Sequence, residues 1–305
     1  STAPVTKSCC NDSTPMLDSV LDGGVVLEDH RSCSNWTAVS MTCVVSGVTP
    51  MSYGFWPWAL ADEAVSGIPP SNYAPLSVQL GDMGYATALV TANPVFGPFT
   101  DVHGTYDDER VLLSGEGAEV TNWAFRQAEF LWGGAQPWYQ HVHYFEPHEP
   151  YCPDYSLVDV TKISDFSLDL CGDFANEIAN FWVLSPGQQD AFLIQATEFY
   201  RAELEGWDRE FERFWNGMDA RGALDDALVV FVTDHGEQWS EHGAFGHGNT
   251  LHAQENRSTA VFWAKNLEPA VHTGPTTHQD IAATLFELFG VTPVVPLEGM
   301  PVGTA

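Results

Sequence analysis

The run Val229-Val230-Phe231-Val232-Thr233 ends abruptly in Asp234-His235-Gly236-Glu237, and His242-Gly243 and Gly246-His247-Gly248 follow at once. An unbroken apolar, β-branched run predicts a strand buried on both faces, the kind found in sheets covered by helices. Such a strand delivers the polar groups that follow it at its carboxyl end, where open α/β sheets place their sites. Asp234, His235, His242 and His247 put four metal-ligand-type side chains within fourteen residues. The glycines among them let the backbone turn tightly enough to gather those side chains. A surface loop that merely happened to hold histidines would not combine a strand, breakers and ligands so consistently.

The rest of the chain alternates in the same way. Ala86 to Val90 predicts a strand after a short helix holding Leu76 to Leu80, and residues 116 to 131 carry helically spaced Ala, Val, Phe and Leu. His141 to Phe145 predicts a short strand broken by Pro147 and Pro150. A long loop is expected over 152 to 186, then a helix over 187 to 220 with Phe192, Ala196, Phe199, Trp207, Phe211 and Phe214 near helical spacing. Thr259 to Trp263 predicts another strand, and Gln279 to Phe289 a helix stopped by Gly290. Alternation of this kind predicts an α/β fold with a mostly parallel sheet sandwiched by helices.

With 305 residues, 44% of them hydrophobic, the chain can bury a large core, and its 11 Trp and 18 Phe exclude disorder. No apolar run is long enough to span a membrane, and Ser1 opens no signal peptide. Against 41 acidic residues stand 11 Lys plus Arg, giving a formal charge of −30. That surface repels nucleic acid and anionic membranes, and it suits a saline or secreted setting as well as plain solubility. The six cysteines, Cys9, Cys10, Cys33, Cys43, Cys152 and Cys171, show no zinc-site spacing. A disulfide between Cys152 and Cys171 would close a Pro/Asp/Ser-rich loop, whereas Cys33 and Cys43 fit either a bridge or buried thiols. Three bridges would match an oxidising, extracellular or periplasmic compartment.

Three further stretches carry chemistry. In Ser34-Asn35-Trp36-Thr37 a hydroxyl residue opens a helix, where backbone N–H groups favour an anion, although a Thr there is commonly a simple cap. In Pro147-His148-Glu149-Pro150-Tyr151 a histidine sits in a proline-stiffened loop after a strand. Thr277-His278-Gln279-Asp280 by itself is a capped amphipathic helix start.

Taken together and in this order, these motifs resemble the sulfatase-like branch of the alkaline phosphatase superfamily. The resemblance runs from Thr14-Pro15-Met16-Leu17-Asp18 to Glu298-Gly299, over nine-tenths of the chain. Asp-His-Gly-Glu with a Gly-His-Gly shortly after is its most specific part, and Pro147 to Tyr151 matches the family's Pro-His-x-Pro-Tyr. The family's nucleophile stands ten residues before a glycine, which places it at Thr37, counted back from Gly47. The segment Thr37-Ala38-Val39-Ser40-Met41 lacks the Cys, Pro and Arg of formylglycine sulfatases and is similar to the phosphoryl-transferring members. The family also opens with a strand ending in metal-binding aspartates. Ser1 to Asp12 hold no such strand, so 1–305 is expected to be a single sulfatase-like domain lacking its usual first strand, with a short or absent C-terminal subdomain.

The resemblance implies a metal-dependent hydrolase or transferase of phosphate or sulfate esters acting through a covalent Thr37 intermediate. Its alternative is an inactive relative with a binding or structural role. One divalent ion, Zn or Mn favoured and Ca admissible, would be held by Asp234, His235 and Thr37. His148 and His247 would hold the substrate's non-bridging oxygens, and one of them would protonate the leaving group. His242 and Glu237 are expected around that set. The expected partners are a small anionic ester and a separate chain or segment supplying the first strand. The loops at 50 to 75, 95 to 110 and 152 to 186 would shape the pocket. The sequons at Asn11, Asn35 and Asn256 include one, Asn35, where a glycan would obstruct the proposed nucleophile.

Overall fold

The computed structural model describes residues 13–53, 74–93, 104–112, 115–163 and 168–303. Cys9, Cys10, Asn11 and most of the expected pocket loops at 50 to 75 and 95 to 110 lie outside these residues. The first elements are helix α1 (Pro15–Asp22), strand β1 (Val25–Arg31) and helix α2 (Thr37–Ser46). Helix α3 (Leu76–Asp82), strands β2 (Ala86–Thr91) and β3 (Asp108–Val111), helix α4 (Gly117–Trp132) and strand β4 (Trp138–His143) follow. Then come helices α5 (Phe174–Phe181) and α6 (Pro186–Asp219), strand β5 (Val229–Val232), and the short strands β6 (Gln238–Trp239) and β7 (Phe245–Gly246). A helical turn α7 (Ala253–Asn256), strands β8 (Ala260–Trp263) and β9 (Ala270–Thr277), and helix α8 (His278–Phe289) complete the described chain.

Most paired residues lie in parallel ladders: β1 with β9, and β2 with both β3 and β4. Strand β8 runs antiparallel between β1 and β5. The strands' two-residue period sorts the core. Val25, Leu27, Ala260 and Phe262 pack with Leu76 and Leu80 of α3 and Ile281 and Phe286 of α8. Their neighbours Val26 and Val261 pack with Leu17 and Val20 of α1 and Trp207 and Phe211 of α6. In β2, Leu89 meets Met41 and Val45 of α2, and Val90 meets Val120 and Ala124 of α4. Side chains that alternate along a strand point to opposite faces, so helices cover both sides and the α/β sandwich read from the alternation is the architecture.

Several local readings are corrected. The strand expected at His141 to Phe145 begins three residues earlier, at Trp138, and stops at His143. Helix α5 interrupts the expected loop over 152 to 186, because Ile178 and Phe181 supply an apolar stripe that packs on Phe192 and Phe245. Strands β1 and β9 carry Glu28, Asp29, His30 and His272 among their apolar residues, and that mixture hid them from periodicity. Cys33 and Cys43 are joined, as are Cys152 and Cys171. The Thr14-Pro15-Met16-Leu17 motif is a docking device: the N–H groups of Met16 and Leu17, at the start of α1, donate to the buried Asp208 carboxylate at 2.9 Å each.

Strands β4 and β5 each end their own ladder, β4 pairing with β2 and β5 with β8 among the described residues. Trp138 and Val229, near the two strand starts, share one apolar cluster. Past their far ends, Asp234 acts electrostatically on His143. The two strands therefore run side by side in one direction, and both line a cavity of about 1620 Å³.

Candidate active site

The site sits at the carboxyl ends of β4 and β5, against the first turn of α2. Trp36 caps that helix in extended backbone, so Thr37 is its first residue and is almost wholly buried. The disulfide between Cys33 and Cys43 closes the segment that carries Thr37. Thr37 Oγ1 lies 3.2 Å from His235 Nε2, and His235 Nε2 lies 3.3 Å from Asp234 Oδ2. His235 Nδ1 donates to the Gly236 carbonyl at 2.8 Å, which leaves Nε2 with its lone pair turned toward the threonine. A side chain at 236 has no room: its Cβ would stand 2.1 Å from the Gln254 carbonyl oxygen.

Electrostatics keep Asp234 in its ligand form. Burial pushes the Asp234 carboxyl up, but the His235 and His143 imidazoles and the Thr37 hydroxyl outweigh it and hold the pKa at about 2. An anionic carboxylate, an imidazole lone pair and a hydroxyl within hydrogen-bond reach of one another suit Zn or Mn, whereas Ca prefers oxygen throughout. Among the described residues, Asp234 is the one carboxylate bonded to this pair.

The second histidine group lies beside the first. The His247 ring lies against His235, tilted by 35° with centroids 4.2 Å apart, and His148 meets His247 edge-on at 5.0 Å. The His148 ring lies on Phe145, with centroids 4.3 Å apart, and burial lowers its pKa against the opposing pull of Glu149. Glu237 Oε1 stands 3.3 Å from His247 Nδ1. Burial, compounded by the carboxylates of Glu149, Glu255 and Asp234, pushes the Glu237 carboxyl well above its ordinary range. Asn35 ties the two halves together, donating to the Thr250 carbonyl and the Glu255 carboxylate while its own carbonyl accepts from Gly248. That employed amide is a poor glycan acceptor.

The structure thus brings Thr37, Asp234, His235, His148, His247 and Glu237 into one neighbourhood. His242 stands apart on the exposed rim, where it stacks on His252 at 3.5 Å and bonds Gln254. Two residues escaped the sequence reading. Glu149 reaches back between His148 and His247, in a loop that carries no periodic signal. His143, the last residue of β4, is bonded to Thr91 and driven to a pKa of about 4 by burial, and it also faces Asp234.

A sulfatase family model matches residues 8–291. Over 72 residues, 22% of this chain and 13% of the relative, the chain is 38% identical to the phosphatidylethanolamine transferase Mcr-2 of Escherichia coli. Over 166 residues, 52% of this chain and 32% of the relative, it is 22% identical to a choline-sulfatase of Rhizobium meliloti. The matched stretches therefore span a third or less of these curated relatives. The phosphonate monoester hydrolase of Agrobacterium radiobacter superposes with a TM-score of 0.70 at 15% identity, over 95% of this chain and 71% of that one. The lipoteichoic acid synthase LtaP of Listeria monocytogenes does so at 0.60 and 17% identity, over 92% and 66%. At such identities these likenesses establish a shared fold.

Proposed function

The chain belongs to the sulfatase family, and on that premise we propose that it is a metal-dependent hydrolase or transferase of phosphate or sulfate esters, with Thr37 as nucleophile. The convergence of Thr37 Oγ1, His235 Nε2 and Asp234 Oδ2 carries the reading. A divalent ion among these donors supplies the positive charge that favours the threonine alkoxide and the ester's non-bridging oxygens. The Thr37 hydroxyl gives up its proton to water, and its oxygen attacks phosphorus or sulfur in line. The bond to the leaving alcohol breaks as the Thr37 ester forms, and the departing oxygen takes a proton from His148 or His247. Water, deprotonated by the same imidazole, then attacks the Thr37 ester, releasing the free anion and restoring the hydroxyl. In a transferase a second alcohol takes the place of water. The buried start of α2 and a divalent ion, when bound, would offset locally a net charge of −30 that otherwise opposes an anionic substrate.

The proposal includes the family's first strand. The cleft between β4 and β5 is bounded by two strands running the same way, each with a second hydrogen-bonding edge unmatched by another described strand. An extended segment or separate chain laid there would run parallel to both and end beside Asp234, where a further carboxylate belongs. The two disulfides favour an extracellular or periplasmic setting, and no described helix is long and apolar enough to cross a membrane.

The test is turnover of nitrophenyl phosphate, nitrophenyl sulfate and a phosphonate monoester after loading with Zn or Mn. A Thr37 peptide heavier by one phosphoryl or sulfuryl group in stopped reactions is expected. Turnover undiminished in Thr37→Ala would overturn the nucleophile. No turnover of any ester by the loaded chain would leave the inactive relative as the better reading.

A further inference from the structure

On the turn α7, the wholly buried Glu255 carboxylate gathers hydrogen bonds from four residues distant in sequence. Oε1 accepts from the Gln238 side-chain amide, and from the N–H and hydroxyl of Thr250 at 2.9 and 2.7 Å. Oε2 accepts from Asn35 Nδ2 at 2.8 Å and from the Asn249 N–H at 3.0 Å. Among the described residues no lysine or arginine forms an ion pair with Glu255. Burial pushes its carboxyl up, but the bonds from Thr250, Asn249 and Asn35 outweigh burial and hold it below the ordinary carboxylate value. A buried anion satisfied by hydrogen bonds alone fixes its donors in place, because each bond is charge-assisted and losing one leaves charge unsolvated.

These donors flank the working side chains of the site. Asn35 stands two residues before Thr37, Gln238 three after His235, and Asn249 and Thr250 two and three after His247. The Glu255 backbone joins them: its carbonyl accepts from the Gly236 N–H, next to His235, at 2.7 Å. Asn35 closes the circuit. Its Nδ2 also donates to the Thr250 carbonyl at 2.6 Å, and its own carbonyl accepts from the Gly248 N–H at 2.9 Å. Asn249 carries the restraint on to His247, donating from its side-chain amide to the His247 and Phe245 carbonyls at 3.0 and 2.8 Å. The segments that present Thr37, His235 and His247 are therefore all tied to Glu255.

We propose that Glu255 is a positioning residue, which through Asn35, Gly236 and Asn249 sets the Thr37 hydroxyl in register with His235 and His247. It donates no proton and touches no reacting atom; it acts by holding three loops to one anion. Its effect on turnover rests on the Thr37 reading, whereas the coupling of the three segments rests on the bonds alone. Glu255→Gln keeps size and shape and removes the charge. The added amide hydrogens can be met on the Oε1 side, where the Gln238 amide can turn its unpartnered Oε1 inward and the Thr250 hydroxyl can reverse. Asn35 and Asn249 are then left with a neutral acceptor and weaker bonds.

The experiment compares Glu255→Gln, Asn35→Ala and the double variant of the oxidised full chain, by amide hydrogen exchange and by steady-state kinetics. Glu255→Gln is expected to speed exchange at least about threefold at Asn249 and Thr250, and equally in the first turn of α2. Asn35→Ala, which removes the link and leaves the carboxylate in place, is expected to act at the same two places; should Glu255→Gln not fold, it carries the test. Both single variants should lower kcat about tenfold or more with KM within about threefold, the pattern of a misplaced nucleophile. The double variant should lose little more than either, because both changes break one link. Exchange unchanged in the first turn of α2, or kcat unchanged in both variants while Thr37→Ala is inactive, would overturn the inference. Coupled exchange at both places, with turnover undiminished in Thr37→Ala, would keep the Glu255 link and lose the Thr37 mechanism.

Discussion

Thr37 and His235, 198 residues apart in sequence, place a hydroxyl oxygen 3.2 Å from an imidazole nitrogen whose partner nitrogen is already engaged. Neither residue has this neighbour through local structure. Helix α2 sets one and the end of β5 sets the other. The pair is therefore the most direct handle on what the site does.

Removing the hydroxyl is expected to abolish turnover while sparing the fold. Thr37→Ala should lower kcat by at least about a thousandfold, the range for loss of a nucleophile, with thermal unfolding shifted little. Thr37→Ser keeps the oxygen and is expected to retain measurable turnover. Equal loss in both variants, measured by steady-state kinetics, would point to a packing role instead.

Gly236 is a steric requirement. A Cβ there would stand 2.1 Å from the Gln254 carbonyl, and the Gly236 N–H donates to the Glu255 carbonyl at 2.7 Å. Gly236→Ala is expected to cost about 1–3 kcal/mol in denaturant unfolding, the usual scale of forced overpacking. It should also weaken metal binding, because Asp234 and His235 move with that backbone. An alanine variant as stable as the parent would refute the close approach.

Glu203 on α6 makes stability depend on pH. Burial raises its carboxyl from an ordinary 4.5 to about 8, against the N–H of Cys152, which lowers it, and with the charge of Glu146 adding to the rise. Between those values the folded chain keeps a proton that the unfolded chain releases. This contribution to stability is complete below about 4.5 and is lost as pH rises through about 8, with a slope of at most about 1.4 kcal/mol per pH unit. In Glu203→Gln that component of the slope should vanish, leaving the variant the more stable of the two at pH 8 in urea titrations. Parallel pH profiles for parent and variant would sink the assignment.

The Cys152–Cys171 bridge spans a sequence separation of 19. Replacing both cysteines by serine is expected to destabilise the chain by about 3 kcal/mol, as expected for a closed loop of this order. Opening Cys33–Cys43 should act differently, lowering ester turnover more than stability, because its loop carries Thr37. Kinetics and unfolding of the two double variants, side by side, separate these effects.

The cleft between β4 and β5 gives a prediction about dynamics. Backbone amides of β4 and β5 should exchange hydrogen at least about tenfold faster than those of β2, which is paired on both sides. Exchange as slow in β4 and β5 as in β2 would mean that the cleft is closed in solution.

Strong local signals made much of this molecule legible in its sequence. The apolar run Val229 to Val232 declared a buried strand, and the spacing from Phe192 to Phe214 declared the long helix α6. Asp234 and His235 could be picked out as candidate ligands because they follow the strand directly, whereas Thr37 was singled out by the family resemblance, ten residues before Gly47, and stands at the first residue of α2. Strands β1 and β9 were hidden because their charged residues broke the period, and only pairing with each other made them strands. His242, which shares the same fourteen-residue stretch as Asp234, His235 and His247, ended on the rim because turns rather than spacing set its direction. Glu149 and His143 became neighbours of the site only when the β4 loop folded back against the loop holding His247. The sequence by itself determined the α/β class, the covered sheet and the residue types of the site, since all of these follow from periodicity and local propensity. The meeting of Thr37 with His235 and of Glu149 with His247, and the cleft between β4 and β5, were decided by the tertiary structure, because contacts between residues so far apart in sequence depend on packing that no local pattern encodes.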